Sequence, residues 1–258
     1  MFTITQNQLE VFQSETASAF ENEMIGHCKV FSPKLSGILG DDRLRGVIRA
    51  AIKRAIGHGF TLRGPIRLFI ELGFLFGSSF DTDVQYSWAR TKLDEPDPRT
   101  QMARAEALHA TATIALKKIH GVDNNYTYAA LRRLQPLSAA TFRFRSNDFS
   151  DVVLTEMAKV HPQKYEYVGE TSLRTLITTA EAEALQHDFS TPHEKLLIVV
   201  LMFSFGQGCT TDLLYPWIAG TLGNYRVSSP VARANQLQRK ALTWLRHVLE
   251  ERTEVYHD

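Results

Sequence analysis

The sequence predicts an all-α protein: two tandem copies of a roughly five-helix module packed into one helical body. Three observations carry this. Apolar residues recur at helical spacing along most of the chain, and no segment shows convincing strand alternation. Ser, Thr, Asp, Pro and Gly fall where helices would start and stop. Shifted by 129 positions, residues 33–119 align with 162–248 without a gap, with 25 identities in 87 positions. Chance would give roughly 5 at typical residue frequencies.

The elements follow in order. Thr3 or Thr5 can cap a first helix carrying Leu9, Phe12, Phe20, Met24 and Phe31. Asp41 or Asp42 can cap a second, with Leu44, Val47, Ile48, Ala51, Ile52 and Ala55 on one face, stopping at Gly57-His58-Gly59. Thr61 opens a third helix with Pro65 in its first turn, ending at Phe76 before Gly77. Thr82-Asp83 caps a short fourth helix holding Tyr86 and Trp88. A fifth runs from about Arg99 to His120. The insert Asn124–Arg145 joins the copies and adds a short helix at Tyr126–Leu134. The second copy repeats the order, with Thr171 or Ser172 as a cap, Pro192 in a first turn, and a last helix from about Pro230 to Glu250. The divisions are 1–123, 124–145 and 146–258.

The matched positions explain themselves as scaffold. The clearest stretch is Leu72-Gly-Phe-Leu-Phe-Gly-Ser-Ser-Phe-Asp-Thr-Asp-Val-Gln-Tyr-Ser-Trp88 against Leu201-Met-Phe-Ser-Phe-Gly-Gln-Gly-Cys-Thr-Thr-Asp-Leu-Leu-Tyr-Pro-Trp217. Its aromatics read as core, Gly77 and Gly206 as helix stops, Asp83 and Asp212 as caps, and His58 and His187 as hydrogen-bonded corners. Trp88 and Trp217 pin a short helix, each indole N–H needing a partner.

Motifs of chemistry are missing from the sequence. Gly57-His-Gly-Phe-Thr-Leu-Arg-Gly64 lacks the lysine and spacing of a phosphate loop, and there is no Gly-x-Ser-x-Gly, His-Glu-x-x-His or Cys-x-x-Cys. The expectation is no catalytic residue, no cofactor and no metal. Cys28 and Cys209 read as free thiols in a reducing cytosol. No apolar run nears the ~18–20 residues that span a bilayer. The N-terminus lacks a signal-peptide pattern, so a cytoplasmic protein is expected.

Divergence between the copies is where function is sought. Net formal charge is only +1, yet residues 33–93 hold ten Lys/Arg against five Asp/Glu, and residues 162–222 three against seven. On the second helix Arg45, Arg49 and Lys53 recur every four residues as one stripe, opposite Arg174, Thr178 and Ala182 in the other copy. The stripe is the expected partner-binding surface, for an acidic protein whose encounter charge would steer. A solvated face, or contact between oppositely charged copies, explains it equally. Nucleic acid fits less well, since the stripe is short and lacks interleaved aromatics.

Leu44-Arg-Gly-Val-Ile-Arg-Ala-Ala-Ile-Lys-Arg-Ala55, Gly59-Phe60, Phe74-Leu-Phe-Gly-Ser-Ser-Phe-Asp-Thr-Asp83 and Trp88-Ala89 resemble a poorly characterised bacterial helical family encoded near type VI secretion effectors. The resemblance covers about residues 5–93. Ser87 stands where the family pattern has proline; the second copy keeps Pro216-Trp217 but replaces the Phe-Asp pair with Cys209-Thr210. It implies no catalytic residues. It implies an immunity protein that neutralises a secreted effector toxin, or an adaptor that loads one. The alternatives are a helical enzyme pairing His58 or His187 with Asp83 or Asp212, and a nucleic-acid-binding regulator. Self-association stays open.

Overall fold

The computed structural model describes the backbone of residues 6–94, 100–135, 144, 148–227 and 229–255, and side chains from residue 17 to residue 249 within those ranges. Leu9, Phe12 and the caps at Thr3 or Thr5 lie outside the described side chains. Every regular element among the described residues is helical. The first half holds α1 (Gln6–Phe31), α2 (Pro33–Gly57), α3 (Arg63–Phe76), a 3₁₀ turn at Val84–Tyr86, α4 (Ser87–Asp94) and α5 (Gln101–His120). A second 3₁₀ turn (Val122–Asn124) leads into α6 (Asn125–Leu134), the expected insert helix. Then follow α7 (Phe149–Val160), α8 (Pro162–Val168), α9 (Glu170–Gln186), α10 (Pro192–Phe205), α11 (Pro216–Leu222) and α12 (Pro230–Val255).

Several expected caps are replaced. Gly40 takes φ 71° and breaks α2, so the helix restarts without an aspartate cap, and Asp41 pairs with Lys29 at 2.7 Å instead. Gly169 (φ 81°) plays the same part before α9, and neither Thr171 nor Ser172 caps it. Leu62, not Thr61, precedes α3; the Thr61 and Leu62 amides both donate to Gln101 Oε1. Thr191 does cap α10, in a reciprocal box with Glu194.

Each half has its own apolar core. The first centres on Leu44, Ile48, Phe60, Phe69, Ile70 and Phe80. The second centres on Leu173, Ile177, Phe189, Ile198 and Val199. Burying each large side chain contributes about 1.5–3 kcal/mol. The cores interlock: Leu214 belongs to the first, and Val84 packs against the second.

Positions 129 apart share local geometry. Ser32 (φ −138°, ψ 72°) matches His161 (φ −136°, ψ 72°). Gly77 (φ 96°, ψ 149°) matches Gly206 (φ 96°, ψ 153°). Phe76 meets Tyr86 at 4.8 Å and Trp88 at 5.5 Å between ring centroids; Phe205 meets Tyr215 at 4.7 Å and Trp217 at 5.9 Å. Arg104 donates to the His58 carbonyl at 3.0 Å and Arg233 to the His187 carbonyl at 2.7 Å.

Candidate functional site

The stripe on α2 is assembled as the spacing requires. Arg45 reaches Glu21 Oε2 at 3.3 Å and Asn22 Oδ1 at 2.9 Å; Arg49 reaches Glu21 Oε1 at 2.8 Å. The two guanidiniums hold the Glu21 carboxyl below its ordinary range, Arg49 chiefly by its hydrogen bond. Lys53 is exposed and makes no ion pair among the described residues. Two of the three cations therefore share one carboxylate, and Arg49 stays 62% exposed. On α9, Arg174 is bound to Asp151 and Glu170, while the other two positions of the row are Thr178 and Ala182.

One turn further along α2, Arg54 and His58 converge on Asp81, which is 3% exposed. Arg54 binds Asp81 Oδ1, and His58 Nε2 meets Asp81 Oδ2 at 2.9 Å. This node joins the end of α2 to the loop after α3. The second half has Glu183, His187 and Thr210 there, and His187 meets Glu183 at 3.4 Å instead. Asp81 was a functional-looking residue that spacing alone did not single out. The signal was that position 210, 129 residues on, is Thr and position 183, matching Arg54, is Glu.

Asp83 caps the 3₁₀ turn at Val84–Tyr86, but Asp212 caps no helix: α11 begins at Pro216 behind Tyr215, and Asp212 only closes a turn onto Leu214. Both aspartates also reach across to the other half, which the sequence did not foretell. Asp83 accepts from its own Gln85 N at 2.9 Å and from Gln207 N, in the other half, at 2.7 Å. Asp212 accepts from its own Leu214 N at 2.9 Å and from Ser78 N at 2.8 Å and Ser78 Oγ at 2.6 Å across the seam. Each aspartate thus binds a loop amide of the other half. Burial pushes the Asp83 carboxyl up, opposed by the Gln207 and Gln85 amides. Neither aspartate meets a histidine; His58 pairs with Asp81. Among the described residues, neither Asp83 nor Asp212 pairs with His58 or His187.

Among the aromatic pins, the Trp88 indole N–H is buried and meets no acceptor among the described residues. Cys28 and Cys209 are both free and buried; burial pushes the Cys28 thiol up to about 11 and Cys209 higher still. No group of three or more His, Cys, Asp or Glu among the described residues could hold a metal ion. No helix is long and apolar enough to cross a membrane among the residues described.

The largest departure from the sequence reading is a cavity of about 500 Å³, walled by α6, α7, α8, α10 and α12 with the end of α5. Lys164 lines it and is only 5% exposed. Its ammonium donates to the Phe203 carbonyl at 2.5 Å and lies 3.3 Å from the Tyr86 hydroxyl. Burial lowers its pKa to about 8, partly offset by Asp83. The signal was legible in the sequence: Lys164 lies 129 positions after Leu35, a lysine where the first half packs a leucine.

Comparison with known protein families, curated proteins and solved structures finds no match to this chain.

Proposed function

We propose that the chain is two fused copies of one helical module and serves as a non-catalytic protein-interaction module. It binds and neutralises a secreted bacterial effector toxin in the cytosol, as an immunity protein. The matched backbone geometry at Gly77 and Gly206, and the exchanged aspartate contacts, support the two-copy reading. Asp83 and Asp212 are occupied by backbone amides, so they support scaffold rather than chemistry.

The single observation that carries the binding role is the α2 face. Arg45 and Arg49 share Glu21 and Lys53 makes no ion pair among the described residues, which leaves an exposed net-positive row that the other copy lacks. Such a row suits an acidic partner surface, where charge sets register and encounter rate. The two buried free thiols agree with a reducing compartment.

The test is co-purification with the product of the neighbouring gene, scored together with protection of cells from that product. A complex with protection supports the immunity role. A complex without protection assigns the adaptor alternative. Neither a complex nor protection refutes both. Arg49→Glu with Lys53→Glu should abolish the complex while leaving the helical fold intact; an unchanged complex would remove the stripe from the interface. Salt-sensitive binding to duplex DNA, absent here by expectation, would favour the regulator alternative.

A further inference from the structure

The two halves differ most in how their last helix packs. On α5, Leu108, Ala112, Ala115 and Ile119 are all fully buried. On α12, Leu237 is buried but Ala241 and Trp244 are only partly so, and both line the cavity. The void is walled mainly by the second half and α6, with Ile119 and His120 of α5 closing one side. Its volume of about 500 Å³ falls within the range of small-molecule sites, roughly 300–1,000 Å³.

Shape and polarity narrow the ligand. The lining follows α10 from Thr191 to Phe205, about 20 Å at roughly 1.5 Å per residue. Along that length the wall is mainly aliphatic, with Leu131, Met157, Val160, Val200 and Leu242 among its residues. At the Phe203 end stand Lys164 and His161. His161 Nδ1 accepts from the Lys164 backbone N–H at 3.2 Å, so the neutral ring carries its proton on Nε2. The ammonium has three N–H donors and uses two.

The acids nearby are already engaged. Glu194 accepts from the Ser190 and Thr191 amides, and Glu156 pairs with Lys159. Asp83 acts on Lys164 at a distance but gives its oxygens to Gln207, to the Gln85 amide and to the Gln85 side chain. No carboxylate among the described residues pairs directly with Lys164. A buried cation at one end of a long apolar cavity is expensive unless something anionic completes it.

We propose that this cavity binds a free long-chain carboxylic acid, its alkyl chain along α10 and its carboxylate on the Lys164 ammonium and the His161 Nε2–H. The site is separate from the α2 stripe, so it stands or falls independently of the toxin-binding role.

The experiment is calorimetric titration of the purified full chain with palmitic acid and with its methyl ester, below their micelle concentrations. The acid should bind with one site per chain and at least tenfold tighter than the ester. Lys164→Met, close in volume, should bring acid and ester to equal affinity. Ala241→Phe, which fills the void from α12, should weaken both at least tenfold, with circular dichroism showing the helices retained. Three results would overturn the proposal: no binding of the acid, equal affinity of acid and ester for the unaltered chain, or an acid preference that survives Lys164→Met. If an apolar helical peptide binds with the same dependence on Ala241 and the acid does not, the cavity is a protein-docking site and the proposal is wrong. Should Lys164→Met fail to fold, the acid-to-ester ratio on the unaltered chain still decides.

Discussion

Gly77→Ala isolates the contact on which the two halves close. Gly77 has φ 96° and ψ 149°, a region that only glycine enters readily. A Cβ there would lie 2.7 Å from the Phe205 carbonyl oxygen and 3.6 Å from Gly206 Cα. Gly206 mirrors it, with its Cβ 3.0 Å from the Phe76 oxygen. Two penalties combine in Gly77→Ala. The backbone conformation costs about 1–3 kcal/mol, and the overpacked crossing costs about 1–3 kcal/mol more. The sum is roughly 4 kcal/mol, which lowers Tm by roughly 10 °C in a chain of this size. Gly169→Ala supplies the reference: φ is 81° and ψ 150°, but nothing lies within 4 Å of the added Cβ. It should show the backbone penalty alone. Gly37→Ala, mid-helix and with nothing within 4 Å, should be neutral or stabilising by up to ~1 kcal/mol. Urea unfolding followed by circular dichroism reads all three. If Gly77→Ala costs no more than Gly169→Ala, the halves do not meet closely at this point and the account of the seam is wrong.

Three further outcomes are expected. Burial holds His161 down at about 3 and His120 at about 4, against 6.5 when unfolded. Folded-state values below the unfolded value mean stability is full above pH 6.5 and is lost as pH falls toward 4 and 3. The loss by pH 5 is about 2 kcal/mol for His161 and less for the more exposed His120. His161→Gln should flatten urea midpoints measured between pH 7 and pH 5; an unchanged slope would disprove the assignment. Asp83→Asn keeps the shape but replaces an acceptor oxygen with a donor, so one of the Gln207 and Gln85 amides loses its partner, at about 1–3 kcal/mol. A midpoint equal to that of the unaltered chain would show the exchanged contact to be idle. Cys28 and Cys209 should resist a thiol-specific reagent at pH 8 in the folded chain and react at once in denaturant, since both are buried and both thiols are pushed up. Labelling of the folded chain faster than unfolding would refute that burial.

Helix class and the limits of most helices were legible because period and punctuation are local signals. The Gly57-His58-Gly59 corner, the Gly77 stop and the insert helix lie where spacing put them. The caps were less legible. Asp41 and Thr61 have suitable side chains, but Gly40 and Gln101 solve the same backbone problem from elsewhere. Asp83 shows the limit most clearly. Its residue type announces a cap, and it does cap Gln85; nothing local announces that its second oxygen serves Gln207, 124 residues away. The stripe at Arg45, Arg49 and Lys53 was readable from period, while Glu21 as the anion shared by Arg45 and Arg49 was not, because it comes from a different helix.

The comparison of positions 129 apart carries more information than either half alone. Gly77 and Gly206, the same residue in both halves, serve the seam, and their replacement is felt as stability. Where the halves differ at a buried position, the difference runs against packing. Leu35 packs on the first core; Lys164 in the same register must bury a charge and borrow the Phe203 carbonyl and the Tyr86 hydroxyl to do so. Ala112 is fully buried; Ala241 lines a void. Each departure costs stability that a leucine or a closer helix would restore, and a pattern of such departures converging on one cavity marks a site rather than drift. The surface differences have no such cost, since exposed Arg49 and Lys53 against Thr178 and Ala182 change little in the fold. The two kinds of divergence therefore predict two kinds of mutant. Changes on the α2 face alter partner binding at constant stability. Filling the α12 cavity raises stability while ligand binding falls, and an Ala241→Phe chain that melts lower yet binds unchanged would break that link.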